Sequence, residues 1–270
     1  MPSRRPAPWL LITVLALAAA GCAHKSEAPT TQPSPIGVTP GAPDTAAAPG
    51  PAAAAPAPPK APTAVAWAAQ AATDVTAWFA PDGKRVLGVF PAKQPSGDRT
   101  VFLLDQPSGA AGASARARGW LRVRLPRRPN GSTGWIKGSQ VRLAPLQRRV
   151  DVDLSARQLT MYQLDRMVRR WPVAVGRPST PTPTGHFYIT IKLRPPAISS
   201  VYGAWALGLS GFSNVLDQFG TGDGQIALHG TSNIGSVGSA VSHGCVRMDN
   251  GAISALAEIL PLGTPVTIHA

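Results

Sequence analysis

The sequence predicts a mainly β protein with two modest folded domains and one short helix close to its C-terminal end. Three observations support this prediction. Short apolar segments alternate with turn residues over most of the chain after residue 73, several segments alternate apolar and charged residues, and a helical pattern is rare. Alternation with a period of two is typical of a strand with one exposed face, because successive side chains point to opposite faces of a sheet.

Residues 73–147 are predicted to form a small β-barrel built of hairpins. Residues 120–125 alternate apolar and charged side chains, and residues 129–132 supply turn chemistry before a returning strand at residues 134–136. The Gly-Trp-Leu and Gly-Trp-Ile segments of these strands resemble bacterial SH3-like modules, which implies a wall-binding or positioning role. The alternative is that both tryptophans only fill the small core.

Residues 148–270 are predicted to form a second domain of strands with a single helix. The helix is predicted over residues 249–260, where Asp249 or Asn250 can cap it and Pro261 ends it. Its apolar positions recur at helical spacing, so one face should be buried. The strand signals of this domain lie at residues 149–154, 159–162, 171–176, 186–191, 226–228 and 265–268.

Residues 1–21 have the pattern of a secretory signal. Arg4 and Arg5 give a positive start, and residues 9–20 are apolar or small, fewer than the about 20 residues that a membrane-spanning helix needs. Small residues directly before Cys22 resemble the cleavage box of bacterial lipoproteins, which implies lipid modification of Cys22. Plain secretion and an uncleaved anchor are the alternatives. In each case we expect an extracytoplasmic protein of the bacterial cell envelope, and lipidation would anchor it to the membrane.

Residues 22–72 are predicted to be a disordered linker. They are mostly alanine, proline, threonine and serine. Such a composition carries too little bulky apolar surface to offset the entropy of ordering the chain. The linker would therefore hold the folded part away from the membrane.

The chain is strongly basic, with 26 Lys and Arg against 13 Asp and Glu. Removing Arg4 and Arg5 with the signal takes two charges from +13 and leaves +11. Export argues against a nucleic-acid partner, so wall polymers and lipid headgroups would be the available anions. An arginine-rich codon bias of the host explains the charge equally well.

The sequence contains two cysteines, and the expected lipidation of Cys22 would leave Cys245 as a single exported thiol. An unpaired cysteine is usually avoided outside the cytoplasm, because oxidising compartments trap or damage it. Two histidines lie nearby in sequence, His243 two residues before Cys245 and His229 sixteen residues before it. A thiol beside a histidine base is the arrangement of a cysteine nucleophile.

Both histidines are candidate bases. His243 points the same way as Cys245 if the segment is extended, so it could approach the sulfur or brace the loop. His229 follows the apolar strand at residues 226–228, and the loop after it returns the chain toward Cys245. We favour His229, because a base on one strand beside a nucleophile on its neighbour suits proton transfer. We expect its imidazole to ionise the thiol.

Gly244 directly precedes the candidate nucleophile. A glycine there allows a tight turn and lets a substrate carbonyl approach the amides of Gly244 and Cys245, which would form an oxyanion site. An ordinary turn glycine is the alternative. A zinc site is not supported, because the cysteine and histidines lack paired ligand spacing and have no carboxylate close in sequence. We expect no metal and no cofactor.

The residues around Cys245 resemble the active-site signature of the L,D-transpeptidases, the YkuD-like enzymes that cross-link bacterial peptidoglycan. The signature comprises His229-Gly230-Thr231, a glycine-rich loop, and Ser-His-Gly-Cys-Val-Arg-Met at residues 242–248. The resemblance extends over about residues 149–268. It includes Thr-Pro-Thr-Gly at 182–185, Ala-Leu-Gly-Leu-Ser-Gly at 206–211 and Leu-Gly-Thr-Pro-Val at 262–266.

The resemblance implies a β-sandwich catalytic domain in which Cys245 is the nucleophile and His229 is the proton donor and acceptor. The main-chain carbonyl of Gly230 would orient the imidazole. Three residues would shape the pocket and the oxyanion site: Ser242, His243 and Gly244.

Two further residues are predicted to contact substrate. Arg247 stands where some family members have asparagine, and it could bind a substrate carboxylate. Tyr202 lies in a segment that we expect to line the cleft. We infer no chemistry for His186.

The implied reaction is acyl transfer from a tetrapeptide stem of peptidoglycan. Cys245 would attack the carbonyl of the third stem residue, D-alanine would leave, and an amine of a neighbouring stem would accept the acyl group and form a cross-link. Water as acceptor would make the enzyme an L,D-carboxypeptidase. A non-catalytic lipoprotein that binds peptidoglycan is the alternative of a different class. We expect a monomer whose partners are stem peptides and, through Cys22, the membrane.

Overall fold

The computed structural model describes residues 64–105, 114, 116–197, 200–218 and 222–270. The predicted signal at residues 1–21, the predicted lipidation site Cys22 and most of the predicted linker lie outside these residues. The described part consists mainly of strands in two large sheets, together with a ten-residue α-helix. The mainly β fold class with a short helix is therefore confirmed.

The first sheet, which we call the N-terminal sheet, has seven antiparallel strands in the order β3-β2-β6-β5-β4-β1-β7. Trp120 is buried in its core and packs edge-to-face on Trp78 with ring centroids 5.1 Å apart, whereas Trp135 is half-buried. The strands are β1 Ala66–Ala71, β2 Val75–Trp78, β3 Val86–Phe90, β4 Val101–Leu104, β5 Trp120–Arg124, β6 Thr133–Lys137 and β7 Val141–Leu146.

The N-terminal sheet begins earlier than the sequence predicts. β1 lies within residues 22–72, the stretch predicted to be linker, yet it pairs with both β4 and β7. Its alanine-rich sequence gave no apolar signal, but small side chains suit a strand packed closely between neighbours. Ala68 and Ala69 are fully buried. The predicted linker therefore ends before Ala66.

The second sheet, which we call the C-terminal sheet, has eight strands in the order β10-β9-β8-β17-β12-β13-β14-β16. The pairs β8–β17 and β14–β16 are parallel, and the other pairs are antiparallel. A separate two-stranded parallel sheet joins β11 and β15. The strands are β8 Arg148–Asp153, β9 Gln158–Gln163, β10 Arg166–Pro172, β11 Val175–Gly176, β12 Gly185–Leu193, β13 Ala206–Phe212, β14 Gln225–His229, β15 Ala240–Ser242, β16 Val246–Arg247 and β17 Pro265–His269.

Both ends of the C-terminal sheet pack on one core, as expected for a sandwich. Val152 and Leu159 come from β8 and β9, and Leu209 and Ile226 come from β13 and β14, yet all four belong to one buried cluster. β13 is buried along its whole length, so it shows no alternation. β10 is exposed at its first five residues, which explains why its sequence gave no strand signal there.

The helix, α1, covers Asn250–Ile259 and follows the loop that carries Cys245. Asp249 is its N-cap: the carboxylate accepts hydrogen bonds from the backbone N–H groups of Gly251 and Ala252 at 2.8 and 3.1 Å. The helix buries one face against the core of the C-terminal sheet through Ile253 and Leu256. Among the described residues, no helix is long and apolar enough to span a membrane.

The two sheets share an apolar interface. Tyr188 of β12 is fully buried in a cluster whose other core members come from the N-terminal sheet: Ala68, Val101, Leu103 and Leu146. The hydroxyl of Tyr188 also donates a hydrogen bond to the carbonyl of Arg124 in β5 at 3.1 Å. The described residues all lie in one compact unit, Pro58–Ala270. The N-terminal sheet is thus packed directly on the C-terminal sheet.

Candidate active site

His229 ends one of two neighbouring parallel strands, and Cys245 directly precedes the other. β14 ends at His229, and β16 begins directly after Cys245. Leu228 pairs with Val246, and His229 pairs with Arg247. Leu228 and Val246 are buried in the core. Because side chains alternate along a strand, this register directs His229 and Cys245 to the other face.

That face borders a cavity of about 660 Å³, lined by both His229 and Cys245. This volume lies within the range of about 300–1,000 Å³ that is usual for ligand pockets. The remaining walls come from the end of β12 and the loop after it, from β13, and from the loop between β13 and β14. The lining is mostly apolar, and its charged side chains are Arg194, Asp223 and Arg247.

His229 is fixed by its own neighbour. Its ring Nδ1 lies 2.6 Å from the carbonyl oxygen of Gly230. A carbonyl can only accept a hydrogen bond, so Nδ1 must carry the proton, and in the neutral ring Nε2 keeps its lone pair. Tyr202 packs against the imidazole edge-to-face with ring centroids 5.2 Å apart. The expectation that Gly230 orients the imidazole agrees with this geometry.

Burial shifts the pKa values of both His229 and Cys245 toward their neutral forms. The pKa of His229 is lowered to about 4, chiefly because burial disfavours the charged ring, although the hydrogen bond to Gly230 opposes this. Burial raises the pKa of the Cys245 thiol, while a backbone hydrogen bond from Ala227 and the charge of Arg247 act in the lowering direction. Both shifts favour the neutral forms, a thiol and an imidazole. Ionisation of Cys245 by His229 stays a prediction.

Ser242 braces the loop before Cys245 from inside. It is fully buried, and its hydroxyl donates to the carbonyl of Cys245 at 2.6 Å and accepts from the N–H of Gly244 at 3.1 Å. Its own carbonyl accepts from the Thr180 hydroxyl at 3.0 Å and the Arg177 N–H at 3.1 Å. These contacts indicate that Ser242 positions the loop, and its predicted role in substrate binding stays a prediction.

The hydrogen bond from Gly244 to Ser242 also affects the oxyanion site predicted from the two amides of Gly244 and Cys245. The Gly244 N–H is already bonded to Ser242, so of the two predicted donors the Cys245 N–H is the one that a substrate carbonyl could use. Gly244 has a φ of +119°, a conformation that side chains with a Cβ rarely adopt. The glycine before the nucleophile is thus required by the turn itself.

The remaining predicted residues line the same cavity. His243 is half-buried, and burial together with the charges of Arg177 and Arg247 lowers its pKa. Arg247 is half-buried, and its Nε has no hydrogen-bond partner among the described residues. Tyr202 is 37% exposed, and burial and the nearby Cys245 both raise the pKa of its hydroxyl. Their roles with substrate stay predictions.

Asn250 is a site residue that the sequence offered only as a helix cap. Its side-chain oxygen accepts from the N–H of Ala204 at 2.9 Å, and its nitrogen donates to the carbonyl of Thr231 at 3.0 Å. It therefore ties the segment that carries Tyr202 to the end of the strand that carries His229. No local pattern identifies such a role, because its partners are 46 and 19 residues away.

Comparison with known proteins shows what the C-terminal sheet is similar to. Residues 147–268 match the family model described as "YkuD: L,D-transpeptidase catalytic domain". The chain is 41% identical over 120 residues to a Bacillus licheniformis protein named "Putative L,D-transpeptidase YkuD", covering 44% of this chain and 64% of that protein. The Bacillus subtilis protein of the same name is 40% identical over 120 residues, covering 44% and 65%. The match spans less than two thirds of either relative's length.

A solved structure, "L,D-transpeptidase from Mycobacterium smegmatis", is 17% identical and aligns with a TM-score of 0.39, covering 64% of this chain and 91% of that chain. The family match covers the strands β8–β16, β17 up to Ile268, the helix α1 and every cavity residue described above. Residues 147–268 of this chain are therefore similar to the YkuD-type L,D-transpeptidase catalytic domain.

Proposed function

We propose that this protein is a cysteine acyltransferase of the L,D-transpeptidase type that acts on peptidoglycan stem peptides. The observation that carries the proposal is the β14–β16 register, which directs Cys245 and His229 into one cavity. The bond of the Nδ1–H to Gly230 supports it further, because it turns the basic nitrogen of the ring away from the protein backbone.

In the first half-reaction the Cys245 sulfur attacks the carbonyl of the third residue of a tetrapeptide stem. His229 takes the thiol proton as the carbon–sulfur bond forms, which avoids a buried resting ion pair. The Cys245 N–H stabilises the oxyanion. His229 then gives the proton to the nitrogen of the departing D-alanine, the carbon–nitrogen bond breaks, and a thioester remains.

In the second half-reaction an amine of a neighbouring stem attacks the thioester. His229 accepts the amine proton, the new amide bond forms, the carbon–sulfur bond breaks, and the proton returns to the sulfur. The product is a cross-link between two stems. Water in place of the amine would release a tripeptide and would make the activity that of a carboxypeptidase.

Intact-mass measurement of the protein after incubation with a tetrapeptide stem tests this proposal. We expect a covalent adduct equal to the stem without its terminal D-alanine, together with free D-alanine, and no adduct on Cys245→Ala. Adding an acceptor stem should convert the adduct into a cross-linked product. A folded wild-type protein that stays unmodified while it binds peptidoglycan would instead establish the non-catalytic alternative.

We propose further that the mature protein is a lipoprotein of the bacterial cell envelope, attached through Cys22. The positive start, the short apolar stretch and the small residues before Cys22 support this. Fractionation of expressing cells tests it: the wild-type protein should sediment with membranes, and Cys22→Ala should remove the attached lipid mass. An N-terminal peptide that carries an unmodified Cys22 would contradict the proposal.

A further inference from the structure

Two described segments between β13 and β14 form one wall of the active-site cavity, and we call them the two legs of the loop. The first leg, residues 213–218, contributes Ser213 and Leu216 to the lining, and the second leg, residues 222–224, contributes Gly222, Asp223 and Gly224. A backbone hydrogen bond from Ser213 to the carbonyl of Gly224, at 2.8 Å, joins the two legs. A wall made of loop backbone needs support from elsewhere to keep one shape.

That support comes from the turn between β5 and β6 of the N-terminal sheet. The guanidinium of Arg128 donates to three carbonyls of the loop: Ser213 at 2.5 Å, Leu216 at 2.9 Å and Asp223 at 3.1 Å. The first two belong to one leg and the third to the other. One side chain therefore spans both legs, which the fork of an arginine allows and a single ammonium group does less well.

Asn130 of the same turn anchors the start of the loop. Its side-chain oxygen accepts from the N–H of Phe212 at 2.8 Å, and its nitrogen donates to the carbonyl of Phe212 at 2.8 Å. The nitrogen also lies 3.2 Å from the side-chain oxygen of Asn214. Asn130 thus pairs with both backbone groups of the last residue of β13, as a neighbouring strand would.

We infer that the N-terminal sheet completes the catalytic site, and that Arg128 and Asn130 are positioning residues that hold one wall of the cavity that Cys245 lines. The inference rests on the proposed function for its catalytic meaning, but the physical claim concerns the shape of the wall. Neither residue lines the cavity. They act through the loop, and the matched domain at residues 147–268 does not contain them.

Three variants of the full chain test this. Arg128→Ala removes the three bonds to the loop. Asn130→Asp keeps the size and the acceptor for the Phe212 N–H but places an oxygen against the Phe212 carbonyl. Arg127→Ala is the matched control, because Arg127 lies in the same turn but its guanidinium donates to Leu87 at 2.7 Å and to Arg128 at 3.4 Å, both within the N-terminal sheet.

The first readout is hydrogen–deuterium exchange of peptides from residues 212–218 and 222–225. We expect exchange to become about tenfold faster in Arg128→Ala and Asn130→Asp, and to be unchanged in Arg127→Ala. The second readout is alkylation of Cys245 by a small iodoacetamide and by a bulky maleimide. A loosened wall should raise the rate for the bulky reagent about fivefold relative to the small one. Neither readout depends on turnover.

With a stem tetrapeptide, both variants should raise KM severalfold while the rate of the small reagent stays as in the wild type. If the wild type ignores the tetrapeptide, the proposed function fails, and exchange and alkylation still decide the positioning role. Unchanged exchange in Arg128→Ala, an equal rise in Arg127→Ala, or an unaltered preference between the two reagents would overturn the inference.

Discussion

The Nδ1–H of His229 donates to the carbonyl oxygen of Gly230 at 2.6 Å, which fixes the tautomer of the buried imidazole that faces the Cys245 cavity. The ring is held by the residue that follows it, and no carboxylate is involved in this contact. A neutral orienting group suits the low pKa of this histidine, because a nearby carboxylate would favour the charged ring. A neutral His229 is able to accept the proton of Cys245 during the proposed attack.

The stability of the protein should depend on the protonation of His229. Its pKa is about 4 in the folded chain and 6.5 as the ordinary value, so the unfolded chain binds more protons between these pH values. Stability should be full above about pH 6.5 and fall by about 3 kcal/mol as the pH decreases to about 4. His229→Asn, which can still donate to Gly230, should lose this part of the pH dependence. Urea unfolding across that range measures it, and parallel curves for the two proteins would contradict it.

Alkylation of Cys245 should have no plateau near neutral pH. Burial raises the thiol pKa above its ordinary value, so the reactive thiolate fraction should grow about tenfold per pH unit from pH 6 to 8. Rates with iodoacetamide, followed by intact mass, provide the measurement. A rate that levels off near pH 7 would indicate a resting thiolate–imidazolium pair and would show that burial does not control the site.

Arg247 provides a matched variant for this experiment. Its charge acts to lower the pKa values of both Cys245 and His229. Arg247→Gln should therefore slow alkylation at fixed pH and Arg247→Lys should slow it less, because lysine keeps the charge. Equal rates in all three proteins would exclude an electrostatic role for this residue.

Ser242→Ala should weaken the loop that carries the nucleophile. It removes the hydrogen bonds to the Cys245 carbonyl and from the Gly244 N–H, and it leaves both groups without this partner in a buried place. Loss of one buried partner typically costs about 1–3 kcal/mol. We expect lower unfolding free energy and slower acylation together, with Ser155→Ala, at an exposed turn, as the control. A variant with wild-type stability would show that the brace is dispensable.

Asn250 should control the position of His229 at a distance. Asn250→Asp keeps the acceptor for Ala204 but places an oxygen against the carbonyl of Thr231, so acylation should fall about tenfold while the Asp249 cap is preserved. Kinetics of acylation at constant pH, with circular dichroism as a check on the helix, provide the measurement. Retained acylation rates would show that the strand end is held without Asn250.

A change at Gly203 approaches the same contact from its other side. Gly203 has a φ of +63°, and a Cβ there would collide with the Asn250 side chain and the Gly230 backbone. Gly203→Ala should therefore displace Asn250 and reproduce the acylation defect with a larger loss of stability. A well-tolerated alanine would mean that the two segments are not packed as tightly as described.

Local patterns in the sequence identified much of the C-terminal sheet, because strands with one exposed face alternate in composition. The strands at Arg148–Asp153 and Gln158–Gln163 were predicted from local strand patterns, and the helix after Asp249 from its helical spacing and its cap. Strands without this alternation were not predicted. β1 consists mainly of small residues, and the first part of β10 is exposed on both faces. Sequence motifs likewise predicted Cys245 and His229 as functional residues, because a thiol and an imidazole can be recognised from residue type alone.

By itself, the sequence determined the class of fold, the family resemblance and the pair of reacting side chains, because these follow from short-range periodicity and from residues that few structural roles require. Tertiary structure decided which groups remain available. It engaged the Gly244 N–H with Ser242, shifted the pKa values of Cys245 and His229 toward their neutral forms by burial, and brought Arg128 to a loop 85 residues away. Burial and long-range hydrogen bonds depend on the whole packed chain, so no local pattern could have predicted them.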